Sequence, residues 1–182
     1  MKTSTQRTTT SRREFLKTSA AFASTLALSR VEHAQSAALP MTGVLPRSIH
    51  PYPNKVTWGA GTWSLSKRMP LAVGRDCEAG VVEMMKDTWQ RFTFGAVELA
   101  VTRDAALKAG EFTLAGGRPP QREANATYAL KVDSSGLAAS ATDAAGVRHA
   151  WFTMLQLLDA EDAAGGGLAF TLPQVEIQDW PA

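Results

Sequence analysis

Apolar residues recur every three or four positions in two stretches of this chain and at every second position in several others. In residues 76–94 they fall at Cys77, Val81, Met85, Trp89 and Phe92, a helical stripe with Asp76 placed to cap its start. In residues 146–158 they fall at Val147, Ala150, Trp151, Met154, Leu155 and Leu158, with Thr142 or Asp143 ahead as the cap of a second helix. Residues 97–101, 128–132 and 137–141 alternate as strands, and Asp133-Ser134-Ser135-Gly136 between the last two favours a hairpin turn. Residues 56–65 alternate loosely around Trp58 and Trp63, which predicts one or two short strands broken by a turn at Gly59-Ala60-Gly61. Residues 172–181 read as a last strand running into a Pro turn. Residues 108–125, with Gly116-Gly117 and Pro119-Pro120, read as an irregular loop, and Gly165-Gly166-Gly167 closes the connection after the second helix.

Two helices with one apolar stripe each, and four or five half-apolar strands, bury one another only if both helices cover one sheet face. The predicted fold is α/β (α+β): a two-layer sandwich with a mainly antiparallel or mixed sheet and two helices on one face. The other face is left to solvent or to a partner.

The first 55 residues lack such periodicity and carry a different signal. Ser11-Arg12-Arg13-Glu14-Phe15-Leu16-Lys17 matches the twin-arginine export motif, with Arg12, Arg13, Phe15 and Leu16 at its signature positions. A mildly apolar, Ala-rich run over 18–28 follows, then small residues near Ala34. This order predicts a signal peptide over 1–34, a Pro-rich linker over 35–55 and a folded domain over 56–182. The apolar run falls short of the roughly 20 residues a membrane-crossing helix needs, so no permanent span is expected. The expected leader partner is the twin-arginine machinery, and the expected location is periplasmic or extracellular.

The charge changes meaning once the leader is set aside. The formal net charge is +2 over 182 residues, yet six of the nineteen Lys and Arg lie before Gln35 with only two of the seventeen acids. Thirteen basic and fifteen acidic side chains remain, which leaves no electrostatic footprint for nucleic acid.

Candidate chemistry is sparse. Cys77 is the only cysteine, so neither an internal disulfide nor a cysteine metal cage is available, and its place on an apolar stripe reads as core. His33, His50 and His149 are scattered without a zinc-protease helix motif, and Ser64, Ser134, Ser135 and Ser140 lack a nucleophile elbow. Gly59-Ala60-Gly61 lacks the rest of any phosphate-binding pattern. Glu161-Asp162 is the one adjacent acidic pair, in an Ala/Gly-rich stretch expected to be a solvated loop. No catalytic residue, cofactor or metal is expected.

Three motifs in order carry a family resemblance: Tyr128-x-Leu130-x-Val132, the Gly146-led helix ending Thr153-Met154-Leu155-Gln156-Leu157-Leu158, and Leu172-Pro173 running to Asp179-Trp180-Pro181. Together they resemble the non-catalytic N-terminal domain of family 20 glycoside hydrolases, the β-N-acetylhexosaminidases. The resemblance implies a partner, a catalytic (β/α)8 barrel that follows the Asp-x-Pro turn. Its Asp-Glu pair performs substrate-assisted hydrolysis. The barrel's opening Arg-Gly would fall beyond Ala182, so this chain alone is expected to be inactive, and Leu172, Val175, Ile177 and Trp180 are expected to be left partly uncovered. Two alternatives stand beside this: a stand-alone exported binding or interaction module, and the equivalent domain of another glycoside hydrolase such as an α-glucuronidase.

Overall fold

The computed structural model describes residues 49–180. Ten elements follow in order: β1 (Lys55–Ser64), β2 (Arg68–Gly74), α1 (Ala79–Phe92), β3 (Glu98–Asp104), β4 (Glu111–Leu114), β5 (Tyr128–Asp133), β6 (Gly136–Ala141), α2 (Ala144–Leu157), β7 (Asp159–Asp162) and β8 (Leu168–Asp179). The eight strands form one sheet in the order β1-β8-β5-β6-β4-β2-β3, with β7 pairing onto the first residues of β8. Every pairing is antiparallel except β2 with β3, which α1 joins as a parallel crossover. Both helices lie on one face, as the two apolar stripes require.

Alternation along each strand supplies the inner side of the core. Met69, Leu71 and Val73 of β2, Phe112 and Leu114 of β4, Leu130 and Val132 of β5, and Leu172, Val175 and Ile177 of β8 are buried. From α1 come Val81, Met85 and Trp89, and from α2 Val147, Ala150, Trp151, Met154 and Leu155. Trp151 is fully buried, with its ring centroid 5.9 Å from that of Trp89 and 5.7 Å from that of Phe112, the latter edge-on. Its indole N–H donates to Thr88 Oγ1 at 2.9 Å, so burial leaves no orphaned donor. Trp89 solves the same problem by donating to the Val97 carbonyl at 2.9 Å.

Asp143 caps α2 as expected, its carboxylate accepting from Gly146 N at 2.8 Å. The glycine that leads this helix has a packing reason. A Cβ there would lie 2.7 Å from the Thr127 carbonyl, so only glycine lets the first turn sit against the segment entering β5.

Several expectations are corrected. Asp76 does not cap α1. It lies in the turn after β2, where Cys77 N bonds to the Gly74 carbonyl, and Glu78 takes the cap position without a side-chain bond. The stripe of α1 ends at Trp89, because the helix stops at Phe92 and leaves that ring 44% exposed.

Gly59-Ala60-Gly61 is not a turn. β1 runs through it as one strand with a register shift between Trp58 and Thr62, and a Cβ on Gly59 would meet Gln174 of β8 at 2.8 Å. Residues 108–125 are not wholly irregular, since β4 lies among them between β2 and β6. Glu161-Asp162 sits in edge strand β7 rather than in a loop, and stays exposed. Leu172, Val175 and Ile177 are buried by this domain's own helices and sheet, so the expectation that they await a neighbour is overturned; Trp180 alone of the four remains half-exposed.

The face opposite the helices is partly covered by the chain itself. The segment after β4 crosses it, tied down where Ser140 Oγ donates to the Pro120 carbonyl at 2.7 Å and Glu123 N donates to Gln178 Oε1 at 2.8 Å. Lys55 pairs with Glu123 at 2.8 Å, although both side chains are too exposed for the pair to add much stability.

Replacing Trp151 by Ala removes the ring that joins both helices to the central sheet, at an expected loss of about 3 to 5 kcal/mol. Urea unfolding checks this, with Phe92→Ala as the exposed control. A loss for Trp151→Ala under about 0.5 kcal/mol, the size of a surface change, contradicts the packing account.

Candidate functional site

Two concavities mark the described residues. The larger, about 990 Å³, lies on the helix-free face between the covering segment and the β3–β4 connection, and Lys108, Glu111, Arg118, Arg122, Lys131 and Glu176 contribute to its walls. Its charges largely answer one another. Lys108 Nζ lies 3.9 Å from Glu111, Lys131 Nζ lies 3.5 Å from Asp133, and the Arg122 guanidinium donates to the carbonyls of Glu123 and Ala126.

The smaller cleft, about 440 Å³, opens where β8 leaves the sheet. The outward side of α2 supplies His149, Phe152 and Gln156, the approach to β1 supplies His50 and Tyr52, and the end of β8 supplies Trp180. Two histidines ninety-nine positions apart by number thus share one hollow, which no sequence spacing revealed. Most other polar groups of the wall are engaged. His50 N donates to Gln156 Oε1 at 2.7 Å, and Asn54 N donates to Asp179 Oδ1 at 3.1 Å. Turned to satisfy its neighbours, the Asn54 amide also accepts from Trp180 Nε1 at 2.8 Å.

Beneath this cleft, the Tyr128 hydroxyl shares a 2.8 Å hydrogen bond with Thr153 Oγ1. Burial pushes the Tyr128 phenol up to about 12, against the pull of the Thr153 bond and with help from the Asp179 carboxylate. The group stays neutral at physiological pH and works as a structural tie.

Cys77 is buried, and desolvation raises its thiol above the ordinary value despite the nearby Arg103 guanidinium. Arg103 instead donates to the carbonyls of Arg75 at 2.6 Å and Cys77 at 2.7 Å, locking the turn before α1. Such a thiol is a poor nucleophile. Ser140 is spent on Pro120, and Ser135 on the Asp133 carboxylate at 2.6 Å. Arg148 lies 3.6 Å from Glu78. Arg12, Arg13, Phe15, Leu16 and His33 lie outside the described residues. Among the described residues no three His, Cys, Asp or Glu side chains form a group able to hold a metal ion, and no helix is long and apolar enough to cross a membrane.

The sequence profile of Glycosyl hydrolase family 20, domain 2, matches residues 47–180. The chain belongs to glycosyl hydrolase family 20 and comprises that family's domain 2, a glycoside hydrolase accessory domain.

Among solved structures, it is similar to the GH20 exo-β-N-acetylglucosaminidase from Vibrio harveyi in complex with N-acetylglucosamine: 17% identity, 72% of this chain, 18% of that one, TM-score 0.48. A glycoside hydrolase family 20 β-N-acetylglucosaminidase matches at 24% identity over 74% of this chain and 22% of its own, with a TM-score of 0.44. The chain therefore spans about a fifth of the length of these structures. No curated protein sequence matches it.

Tyr128 gives a pH test of the geometry. Below about pH 10 the phenol is protonated in both states and its contribution is constant. Between about pH 10 and 12 the unfolded chain releases a proton that the folded chain keeps, so stability falls by roughly 1.4 kcal/mol per unit. Urea unfolding at pH 9 and above should show the wild type losing about 2 to 3 kcal/mol more than Tyr128→Phe across that window. Equal losses would place Tyr128 in water.

Proposed function

We propose that this chain is the non-catalytic N-terminal domain of an exported β-N-acetylhexosaminidase-type glycoside hydrolase, and that it supports a (β/α)8 catalytic barrel lying outside these 182 residues. The observation that carries the reading is the match to domain 2 of family 20 over 47–180; among the described residues no Asp or Glu is fully buried. The barrel would bring the Asp-Glu pair, the acid to protonate the glycosidic oxygen and its neighbour to orient the acetamido group. Glu161 and Asp162 cannot substitute for it. They sit exposed on edge strand β7.

The support offered is mechanical. A domain that buries Leu172, Val175 and Ile177 of β8 in its own core would present a following chain from a fixed point at Asp179–Trp180, and rigid placement is what a barrel's loops need to hold a sugar in register.

The purified chain should show no hydrolysis of aryl N-acetyl-β-glucosaminides. Activity that co-purifies with it and is lost on its removal overturns the reading.

Export rests on Arg12 and Arg13, whose guanidinium pair the twin-arginine receptor reads as a shape rather than as two charges. Replacing both by Lys should leave the protein in the cytoplasm, scored by fractionation. Undiminished periplasmic delivery removes this part of the proposal.

A further inference from the structure

The trough on the helix-free face keeps a set of polar groups that the fold leaves unused. Its floor is the outward side of the sheet, where Glu176 of β8 lies directly opposite Lys131 of β5. One wall is the covering segment, which starts through Ala115, Gly116 and Gly117, three consecutive residues at positive φ of 63°, 97° and 101°. Ala115 holds that conformation at a cost a glycine would not incur, yet the segment is pinned along its length. Ala115 N donates to the Pro70 carbonyl at 2.8 Å, Ser140 Oγ to the Pro120 carbonyl at 2.7 Å, and the Gln178 amide binds both Glu123 N and the Gln121 carbonyl. The wall is therefore in place before any ligand arrives.

What that wall presents is uneven in charge. Lys108, Arg118, Arg122 and Lys131 stand against two acids, Glu111 and Glu176, and cations remain in excess even when Asp133, which pairs with Lys131 at 3.5 Å, is added. Arg122 spends its bonds on carbonyls, and Arg118 makes no hydrogen bond or ion pair. Neither guanidinium is answered by a carboxylate. The Gln121 amide and the Glu176 carboxylate are also without hydrogen bonds, and Lys108, 87% exposed, has only Glu111 at 3.9 Å.

Fixed positive charge in a concavity favours an anionic ligand, and a guanidinium with its N–H groups free matches a carboxylate in shape. The free amide and carboxylate beside it suit hydroxyl groups, while Leu107, Pro119 and Pro120 offer small apolar patches to the C–H face of a sugar ring. A volume of about 990 Å³ leaves room for several linked rings. A peptide fits less well, because β4, β5, β6 and β8 are each paired on both sides and the floor has no backbone edge to which a strand can add.

We propose that this trough binds an acidic oligosaccharide, a run of hydroxyl-rich rings bearing carboxylates. Arg118 takes a carboxylate bidentately, Lys108 adds a second charged contact, and Gln121 and Glu176 hydrogen-bond ring hydroxyls. The proposal goes beyond the accessory-domain reading and does not depend on it, since every residue it uses lies in this domain.

Calorimetric titration of the purified chain with oligogalacturonate tests it. The wild type should bind, and Arg118→Gln should weaken binding about tenfold or more, the loss of one charge-assisted bidentate pair. Arg75→Gln, which removes the same charge from an exposed position outside the trough, should leave binding unchanged. The methyl-esterified oligomer, with the same rings and no charge, should bind about tenfold more weakly or worse. Both arginine side chains are exposed and without internal bonds, so both variants should keep the wild-type urea midpoint.

No binding, or binding that Arg75→Gln weakens as much as Arg118→Gln, overturns the site. Equal affinity for the methyl ester or for N-acetylglucosamine oligomers overturns the acidic ligand. Equal affinity for oligoglutamate, lost in Arg118→Gln, assigns the trough to an acidic peptide and likewise overturns the proposal. Each of these results leaves the accessory-domain reading standing, which the hydrolysis assay tests separately.

Discussion

The packing of one indole ring, Trp151, holds this domain in register. It meets Trp89 of α1 and Phe112 of β4 at once and passes its N–H to Thr88, so helix-to-helix and helix-to-sheet spacing are set by the same side chain. A ring of that size fits only if α2 enters close to the sheet, which Gly146 permits by leaving room for the Thr127 carbonyl. Once α2 is fixed, its inner residues close over β5 and β6, and Thr153 reaches the Tyr128 hydroxyl. Its outer residues are then carried to the end of β8, where the smaller cleft forms.

That arrangement accounts for a protein rich in core and poor in chemistry. The titratable groups that are drawn inward, Tyr128 and Cys77, are pushed away from reactivity by burial. On the open face, Lys108, Lys131 and Arg122 are matched with carboxylates or with backbone carbonyls. At the exit of the last strand, Tyr52, Phe152 and Trp180 line the smaller cleft. Membership of family 20 as its domain 2 makes this a glycoside hydrolase accessory domain.

The parts of the fold legible in the sequence were those written locally. The helical stripes around Trp89 and Trp151, the hairpin at Asp133–Gly136 and the Asp143 cap each need only a few neighbouring residues, and each is where the periodicity put it. β2 went unread because Pro70 interrupts an otherwise regular Met69, Leu71, Val73 alternation. The strand tolerates it because pairing with β4 begins only at Leu71, while the Pro70 carbonyl still accepts from Ala115 N at 2.8 Å. β4 is four residues between glycines, and only its distant partners β2 and β6 make it a strand. The two histidines of the cleft met for the same reason, through tertiary packing that spacing cannot encode. The burial of Leu172, Val175 and Ile177 of β8 is not legible locally, because residues distant in sequence, from both helices among others, complete the core around them.

The central claim is that this domain is one part of a family 20 enzyme whose chemistry resides in a following barrel. Reading the gene beyond codon 182 tests it most directly. The account predicts that the following nucleotides, in the same or a shifted frame, encode a (β/α)8 barrel with an adjacent Asp-Glu pair at a strand end. A stop codon followed by an unrelated gene would contradict it.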